Sequence, residues 1–424
     1  MSRVIRRQWS SDFTAPTRAG NKSCEYAAYV PDPLVGRNIA LSGEVAADVA
    51  DAEAAIAQLN VVATGLVDTE ALARILLRAE SVASSKIEGL EVGARRLLRA
   101  EAARGLGEAP TDVTAFEVLG NIDAMVACVA NADGGEPVTL EMLLDLHRRL
   151  LAGTRLAAHG GRLREVQNWI GGSDYNPCNA AFVPAPPDLV HDLMVDLVAF
   201  VNSDSLPVVA QAAMAHAQFE TIHPFIDGNG RTGRALIHLI LRRRGLAPRV
   251  LPPVSLILAT WAKDYIGGLE ASRYKGPSTS GAAQEGANLW ISRFAGACSR
   301  AVTDATMFEV RAQEIEATWR QRLEKVRTHS ATDLLLRALV GAPVVTVNSA
   351  AELIDRSFAQ TNQAIARLVE AEILRQVTVG RRNRAFEAVE VIDAFTDLER
   401  QLASPVGDTR ISEPTRQVPR RRQQ

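Results

Sequence analysis

The sequence predicts a mainly helical protein that carries one short β-hairpin and a small α+β module near its C-terminal end. Three observations carry that prediction. Apolar residues recur at helical spacing through most of 42–327, as in Leu72, Ile75, Leu76, Ala79 and Val82. The stretch 163–183 breaks that rhythm with β-branched alternation flanked by Gly160-Gly161 and Gly171-Gly172. From residue 330 onward, three short helical patterns give way to a strand, a basic turn and a strand.

The chain's 424 residues exceed what one core supports, and 47% hydrophobic content suits two or three globular domains. With 47 basic and 49 acidic side chains the net charge is -2. Such a balance excludes recruitment of nucleic acid or membrane by a global field, so any basic surface is local. Cys24, Cys128, Cys178 and Cys298 form no C-x-x-C pair, which argues against a zinc ribbon and a disulfide framework and for a reducing, cytoplasmic setting. Residues 1–13 are polar and arginine-rich, and no run of about 18 apolar residues occurs, so a soluble protein without a membrane partner is expected.

In chain order, 1–40 is rich in Arg, Ser, Pro and Gly and predicts an extended arm that wraps over a later domain. Val45, Val49, Ala52 and Ile56 begin the helical pattern. A second helix opens at Asp68-Thr69-Glu70 and closes at Gly89, with Glu88 on the unfavourable end of its dipole. Helices are predicted over 91–104, 111–130 and 139–152, with His147 of the last on the surface. Residues 188–202 and 207–222 follow, the second apolar on every side and therefore central. Another apolar helix is expected at 235–241, then helices at 284–304 and 308–327, and Trp261 and Tyr265 are expected to share one helix, with Trp261 in the core. In the last module, helices at 334–339, 349–354 and from Thr361 precede strands at 375–379 and 385–391 and a basic turn at 380–384. The tail, 404–424, is polar and predicted to be disordered.

The densest chemistry lies in His223-Pro224-Phe225-Ile226-Asp227-Gly228-Asn229-Gly230-Arg231-Thr232-Gly233-Arg234. Gly228 and Gly230 let backbone N–H groups converge on an anion, and the following helix adds its positive dipole end. Arg231 and Arg234 lie three apart and can grip phosphate oxygens. Asp227 is a hard oxygen ligand for Mg²⁺, Asn229 can bond phosphate or a loop group, and His223 titrates near neutrality and can accept a hydroxyl proton. Phe225 anchors the loop in the core. The formal G-x-G-x-x-G match at 228–233 is rejected as a dinucleotide fingerprint, because a helix precedes it and no Asp or Glu occurs between Arg234 and Asp264.

Stretch 223–234 resembles the signature of the Fic (filamentation induced by cAMP) family, with every motif position matched. Residues 84–89, Ser-Ser-Lys-Ile-Glu-Gly, resemble that family's inhibitory helix motif. The arm and the hairpin are similar to those of bacterial Fic proteins with an N-terminal inhibitory segment, and the likeness spans residues 30–300. It implies an organisation of 1–110 as arm and inhibitory region and 111–305 as a Fic helical core with a β-hairpin flap; separately, the residue pattern reads as a linker helix over 306–329, and the three helices and hairpin of 330–395 resemble a winged helix.

The resemblance implies AMPylation, the transfer of AMP from Mg²⁺·ATP to a Ser, Thr or Tyr hydroxyl of a target protein or of the enzyme itself. His223 would be the general base and Asp227 the Mg²⁺ ligand. Gly228, Asn229 and Gly230 would cradle phosphates, Arg231 and Arg234 would bind the outer ones, and Tyr265 would lie near adenine. Ser84 and Glu88 would be regulatory, Glu88 pairing with Arg234 to hold the outer phosphate out of place. The 163–183 flap would dock the target by strand addition. The alternatives are removal of AMP by water at the same site, and a nucleotide-sensing transcription regulator that binds DNA through 330–395. A homodimer is compatible with the chain.

Overall fold

The computed structural model describes residues 1–11, 13–62, 69–108, 112–130, 135–379 and 383–401. The helix start at Asp68, the basic turn at 380–382 and the tail lie outside these residues. The chain opens with β1 (Arg3–Trp9) and β2 (Cys24–Val30) and continues as α1 (Gly43–Val62), α2 (Thr69–Ile87), α3 (Ala94–Gly105), α4 (Val113–Ala130) and α5 (Leu140–Leu151). Then come α6 (Val190–Val201), α7 (Val208–Ile222), α8 (Asn229–Arg243), α9 (Val254–Thr260), α10 (Ala262–Ala271) and α11 (Gly281–Arg322). The remainder is α12 (Ala331–Ala338), β3 (Val344–Val345), α13 (Val347–Ile354), α14 (Phe358–Glu370), β4 (Arg375–Val379), β5 (Asn383–Glu387) and α15 (Val389–Gln401). The predicted mainly helical class is what forms.

The chain divides into two compact units. The first gathers Met1–Ala57, Gly120–Pro248 and Lys263–Ser299. At its centre α7 packs on α8, and both are buried along almost their whole length. The polar residues of α7 are each occupied: Gln211 donates to the carbonyls of Phe200 and Val201, and Gln218 to that of Asp32. Trp290, fully buried on α11, donates from Nε1 to the Ala213 carbonyl at 2.7 Å.

The arm departs from its expected form only at its start, where strands β1 and β2 pair antiparallel from Arg3↔Val30 to Trp9↔Cys24 as a hairpin. Its remainder lies over later elements as expected, with the N–H groups of Leu34, Ala40 and Ser42 donating to Asp196, Gln284 and Asn288. Cys24 is joined to Cys178 in a disulfide, across 154 residues of sequence. That corrects the expectation from cysteine spacing, because local spacing carries no information on a pair brought together by the fold. Around the bond, Asn176 donates to the carbonyls of Ala19 and Gly20, and the rings of Trp9 and Trp169 meet edge-on at 5.2 Å.

The predicted hairpin at 163–183 is barely a sheet. Ile170 and Phe182 form an isolated antiparallel bridge, with Pro177–Asn179 in a 3-10 turn. The backbone before it bends away because Arg164 and Asn168 bond the chain around His223, as described below.

The second unit gathers Gln58–Leu119, Arg249–Ala262 and the chain from Arg300. Helix α2 ends in a Schellman arrangement, with Leu90 N bonded to Ser85 O at 3.0 Å and Gly89 N to Lys86 O at 3.0 Å. The predicted C-cap at Gly89 is therefore realised. Arg78 of α2 is buried, donating to the Gly341 carbonyl and to both oxygens of Glu101. Helices α12, α13 and α14 pack with a sheet of order β3-β5-β4 around Trp319, Leu335, Leu339, Ile365 and Leu368. Glu387 of β5 is fully buried and bonded by Arg99 and Arg375, which ties α3 to that sheet.

Four helical boundaries differ from expectation. Two helices predicted between 284 and 327 are one helix, α11, because no Gly or Pro interrupts 297–322. Residues 388–391, read as strand, turn into α15, which the pattern did not reveal. Trp261 stands at the break between α9 and α10 and is half-buried, so it shares no helix with Tyr265. Helix α8 starts at Asn229, earlier than the apolar run indicated. Among the described residues one helix, α4, is long and apolar enough to cross a membrane by length and composition alone, which corrects the expectation that no such run occurs.

Candidate active site

The chain leaves α7 through His223, which adopts a left-handed conformation at φ 51, ψ 61 while its N–H still bonds the Phe219 carbonyl at 2.8 Å. Pro224 disfavours the helical region at His223, so the helix must end there. A non-glycine residue in this region is strained by about 1 to 3 kcal/mol and needs support. The support comes from outside the motif. Arg164 donates from Nε to the His223 carbonyl at 2.8 Å and from its backbone N–H to the Pro224 carbonyl at 2.9 Å. Asn168 donates to the carbonyls of His223 and Phe225. Burial of the Arg164 guanidinium pushes its pKa down to about 10, with the charge of Tyr26 opposing.

Asn229 closes the loop on itself. Its Oδ1 accepts from Phe225 N–H and its Nδ2 donates to the Phe225 carbonyl, both at 2.8 Å. Of the two uses open to Asn229, the loop-binding one accounts for both ends of its amide. Gly228 caps α8 at φ 75, ψ 10, a turn that a side chain would resist both sterically and by approaching Leu150 to 3.0 Å. The first-turn N–H groups of α8 thus emerge directly after Asp227, and they have no acceptor within the helix.

The charges are arranged around that turn. Arg231 is 4% exposed and Arg234 1% exposed, both on the first turns of α8. Arg231 lies 3.6 Å from the Asp227 carboxylate, which is itself half exposed. The carboxylate of Glu220 lies 3.9 Å from His223 Nδ1, one helical turn earlier on α7. At that distance the carboxylate faces Nδ1 through charge and not through a hydrogen bond. Gly233 brings α8 against that carboxylate, since a Cβ on it would stand 2.7 Å from Glu220 Oε1.

His147, expected on the surface, is fully buried. Its ring lies flat on Phe225 at 3.7 Å, with Nε2 3.0 Å from the Asp227 carbonyl. Burial pushes its pKa down to about 4, with the Asp227 carbonyl opposing. Tyr265, expected near adenine, is buried and bonds His216 Nε2 at 2.9 Å. Burial, followed by the charge of Arg234, pushes the His216 pKa down to about 3.

The structure therefore brings together His223, Asp227, Gly228, Asn229, Gly230, Arg231 and Arg234 at the junction of α7 and α8. Ser84 and Glu88 belong to the other compact unit, Ser84 fully buried on α2 and Glu88 in the turn that ends it. Residues missed from the sequence are Arg164, Asn168 and Glu220, with His147 misplaced. The one signal available was an acid one turn before the histidine; Arg164 stands among Arg162, Glu165, Gln167 and Asn168, where nothing marks it out.

Helical packing that presents a histidine, an acid and two arginines where one buried helix hands over to the next defines a Fic-type domain. Residues 137–241 match the model of the Fic/DOC family and residues 46–130 that of the Fic/DOC family N-terminal region. Over these two stretches the chain is similar to the Fic/DOC family. Similar proteins include protein adenylyltransferase fic-1 of Caenorhabditis elegans, 33% identical over 141 residues, which are 32% of this chain and 26% of that protein. Protein adenylyltransferase Fic of Drosophila grimshawi is 39% identical over 139 residues, 32% of this chain and 27% of that protein. The chain thus spans roughly a quarter of the length of the curated relatives it matches. A Fic family protein from Desulfovibrio desulfuricans G20 shares the fold, with TM-score 0.51 and 22% identity over 85% of this chain and 98% of that one.

Proposed function

We propose that the chain is a protein adenylyltransferase, moving AMP from Mg²⁺·ATP to a Ser, Thr or Tyr hydroxyl of a target protein. The observation that supports this most is a base-competent His223, with Glu220 at its Nδ1, placed immediately before a helix N-terminus that carries Arg231 and Arg234. In this reading Nε2 of His223 takes the hydroxyl proton as the acceptor oxygen bonds the α-phosphorus. The bond from that phosphorus to the bridging oxygen breaks, and pyrophosphate leaves. First-turn N–H groups and the two arginines hold the phosphates, so the work is positioning and charge stabilisation.

Asp227 suits a magnesium ion. Its carboxylate is a hard oxygen donor and half exposed, which suits an ion held mainly by phosphate and water. When bound, the ion would neutralise phosphate charge.

Regulation is part of the proposal. Glu88 sits at the carboxyl end of α2, where an acid is uncomfortable without a cation, and Arg234 would be that cation. The contact would keep Arg234 from the outer phosphate. Incubation with α-labelled ATP and lysate tests both ideas. Wild type should label weakly, Glu88→Gly strongly and His223→Ala hardly at all, because a general base contributes about 10² to 10⁴ in rate. Equal labelling by His223→Ala and wild type would sink the assignment. DNA contact through 330–395 is a secondary proposal, resting on the exposed Asn362 and Gln363 at the start of α14. A gel-shift screen with deletion of 330–401 tests it.

A further inference from the structure

We propose that His147 is a positioning residue for the Mg²⁺·ATP loop, setting the Asp227–Gly228 peptide through a hydrogen bond that only its Nε2–H tautomer can make. This rests on the reading of 223–234 as a nucleotide site. Three observations converge on it. Gly161 donates its backbone N–H to His147 Nδ1 at 3.0 Å, so Nδ1 is an acceptor and the ring proton sits on Nε2. That proton points at the Asp227 carbonyl, 3.0 Å away. The ring is clamped flat on Phe225, 7° from parallel, so it cannot rotate away from that carbonyl without breaking the stack.

The donor to Nδ1 is itself specified. Gly161 has φ 72, and a Cβ there would stand 3.0 Å from both Leu144 O and Arg148 Nε, so the N–H is delivered by a residue that must be glycine. The Gly160-Gly161 pair, which marks a boundary in the sequence, thus selects a histidine tautomer. Its consequence lies at the next peptide. A fixed Asp227 carbonyl sets the direction of the Asp227 side chain and the left-handed turn at Gly228 from which α8 starts. His147 touches neither the acceptor nor the reacting atoms; it acts through Asp227.

The test uses the full chain with His147→Phe, which keeps a stacking ring and loses both bonds, and His147→Gln, which can accept from Gly161 and donate to Asp227. Free Mn²⁺ is followed by electron paramagnetic resonance during titration into protein with ATP, with Asp227→Ala as the metal control. His147→Phe should weaken Mn²⁺·ATP binding about threefold to tenfold, the worth of one hydrogen bond, and His147→Gln should restore most of it. In the transfer assay kcat should fall with the KM for the protein acceptor unchanged. The proposal is overturned if folded His147→Phe binds Mn²⁺·ATP like wild type, or if His147→Gln is as impaired as His147→Phe in proportion to lost melting temperature. Should His147→Phe not fold, His147→Asn, too short to span both partners, takes its place against His147→Gln. Wild type that binds Mn²⁺·ATP but transfers no AMP would refute the adenylyltransferase reading alone; wild type that binds no Mn²⁺·ATP refutes both.

Discussion

Replacing Arg164 by methionine tests whether the candidate base is held by a side chain outside its own motif. Arg164 is 2% exposed and donates to the carbonyls of His223, Val166, Ala185 and Ile222. Hydrogen bonds from a charged donor contribute about 1.5 to 3 kcal/mol each, so four of them stand for about 6 kcal/mol at the low end. Against this, burial lowers the guanidinium from 12.5 to about 10, a cost of about 3 kcal/mol at neutral pH. Methionine fills most of the volume and removes both terms, leaving a net loss of about 3 kcal/mol. For a unit of this size the melting temperature should fall by roughly 6 to 12 °C, read by differential scanning calorimetry. AMP transfer, measured well below that temperature, should fall further than the folded fraction, because the left-handed conformation at His223 loses a support. A melting point within 2 °C or so of wild type, with transfer intact, would refute the clamp.

Three other outcomes follow from the geometry. Glu220→Gln should lower kcat for transfer by about tenfold with little change in the KM for ATP, since a neutral amide removes the negative charge that faces His223 Nδ1, a difference of about 1.4 kcal/mol in the barrier; an unchanged kcat would remove Glu220 from the base's support. Protein purified without reductant should titrate only Cys128 and Cys298 when unfolded, and all four cysteines after reduction. In the folded state Cys128 should be inert, because burial pushes its thiol up to about 12. Burial also raises Glu399 from 4.5 to about 7, against the charge of Lys86. A raised carboxyl leaves stability intact below pH 4.5 and removes it as pH rises through about 7. Glu399→Gln should therefore stabilise by about 2 kcal/mol at pH 8 and by nothing near pH 4.5, measured by urea unfolding at both values.

Much of this was legible beforehand because it depends on short-range pattern. The centrality of α7 follows from its being apolar on every side, the end of α2 from Gly89, and the end of α7 from Pro224. The motif's chemistry is likewise local, since His223, Asp227 and both arginines lie within three helical turns. The early start of α8 was not legible, because Asn229, Gly230 and Thr232 are poor helix formers and tertiary packing overrides their propensity. The first strand of the hairpin predicted at 163–183 failed for the converse reason, that Arg164 and Asn168 spend their donors on another segment's carbonyls.

By itself, then, the sequence determined the mainly helical class, the junction at His223 and the inventory of groups gathered there. Only the tertiary structure decided what holds them. His147, Arg164 and Asn168 reach the backbone of 223–227 from 55 or more residues earlier in the chain, and the Cys24–Cys178 link spans 154 residues. Such partners satisfy polar groups that burial would otherwise leave unpaired, and burial is a property of the packed chain, not of any window of residues along it.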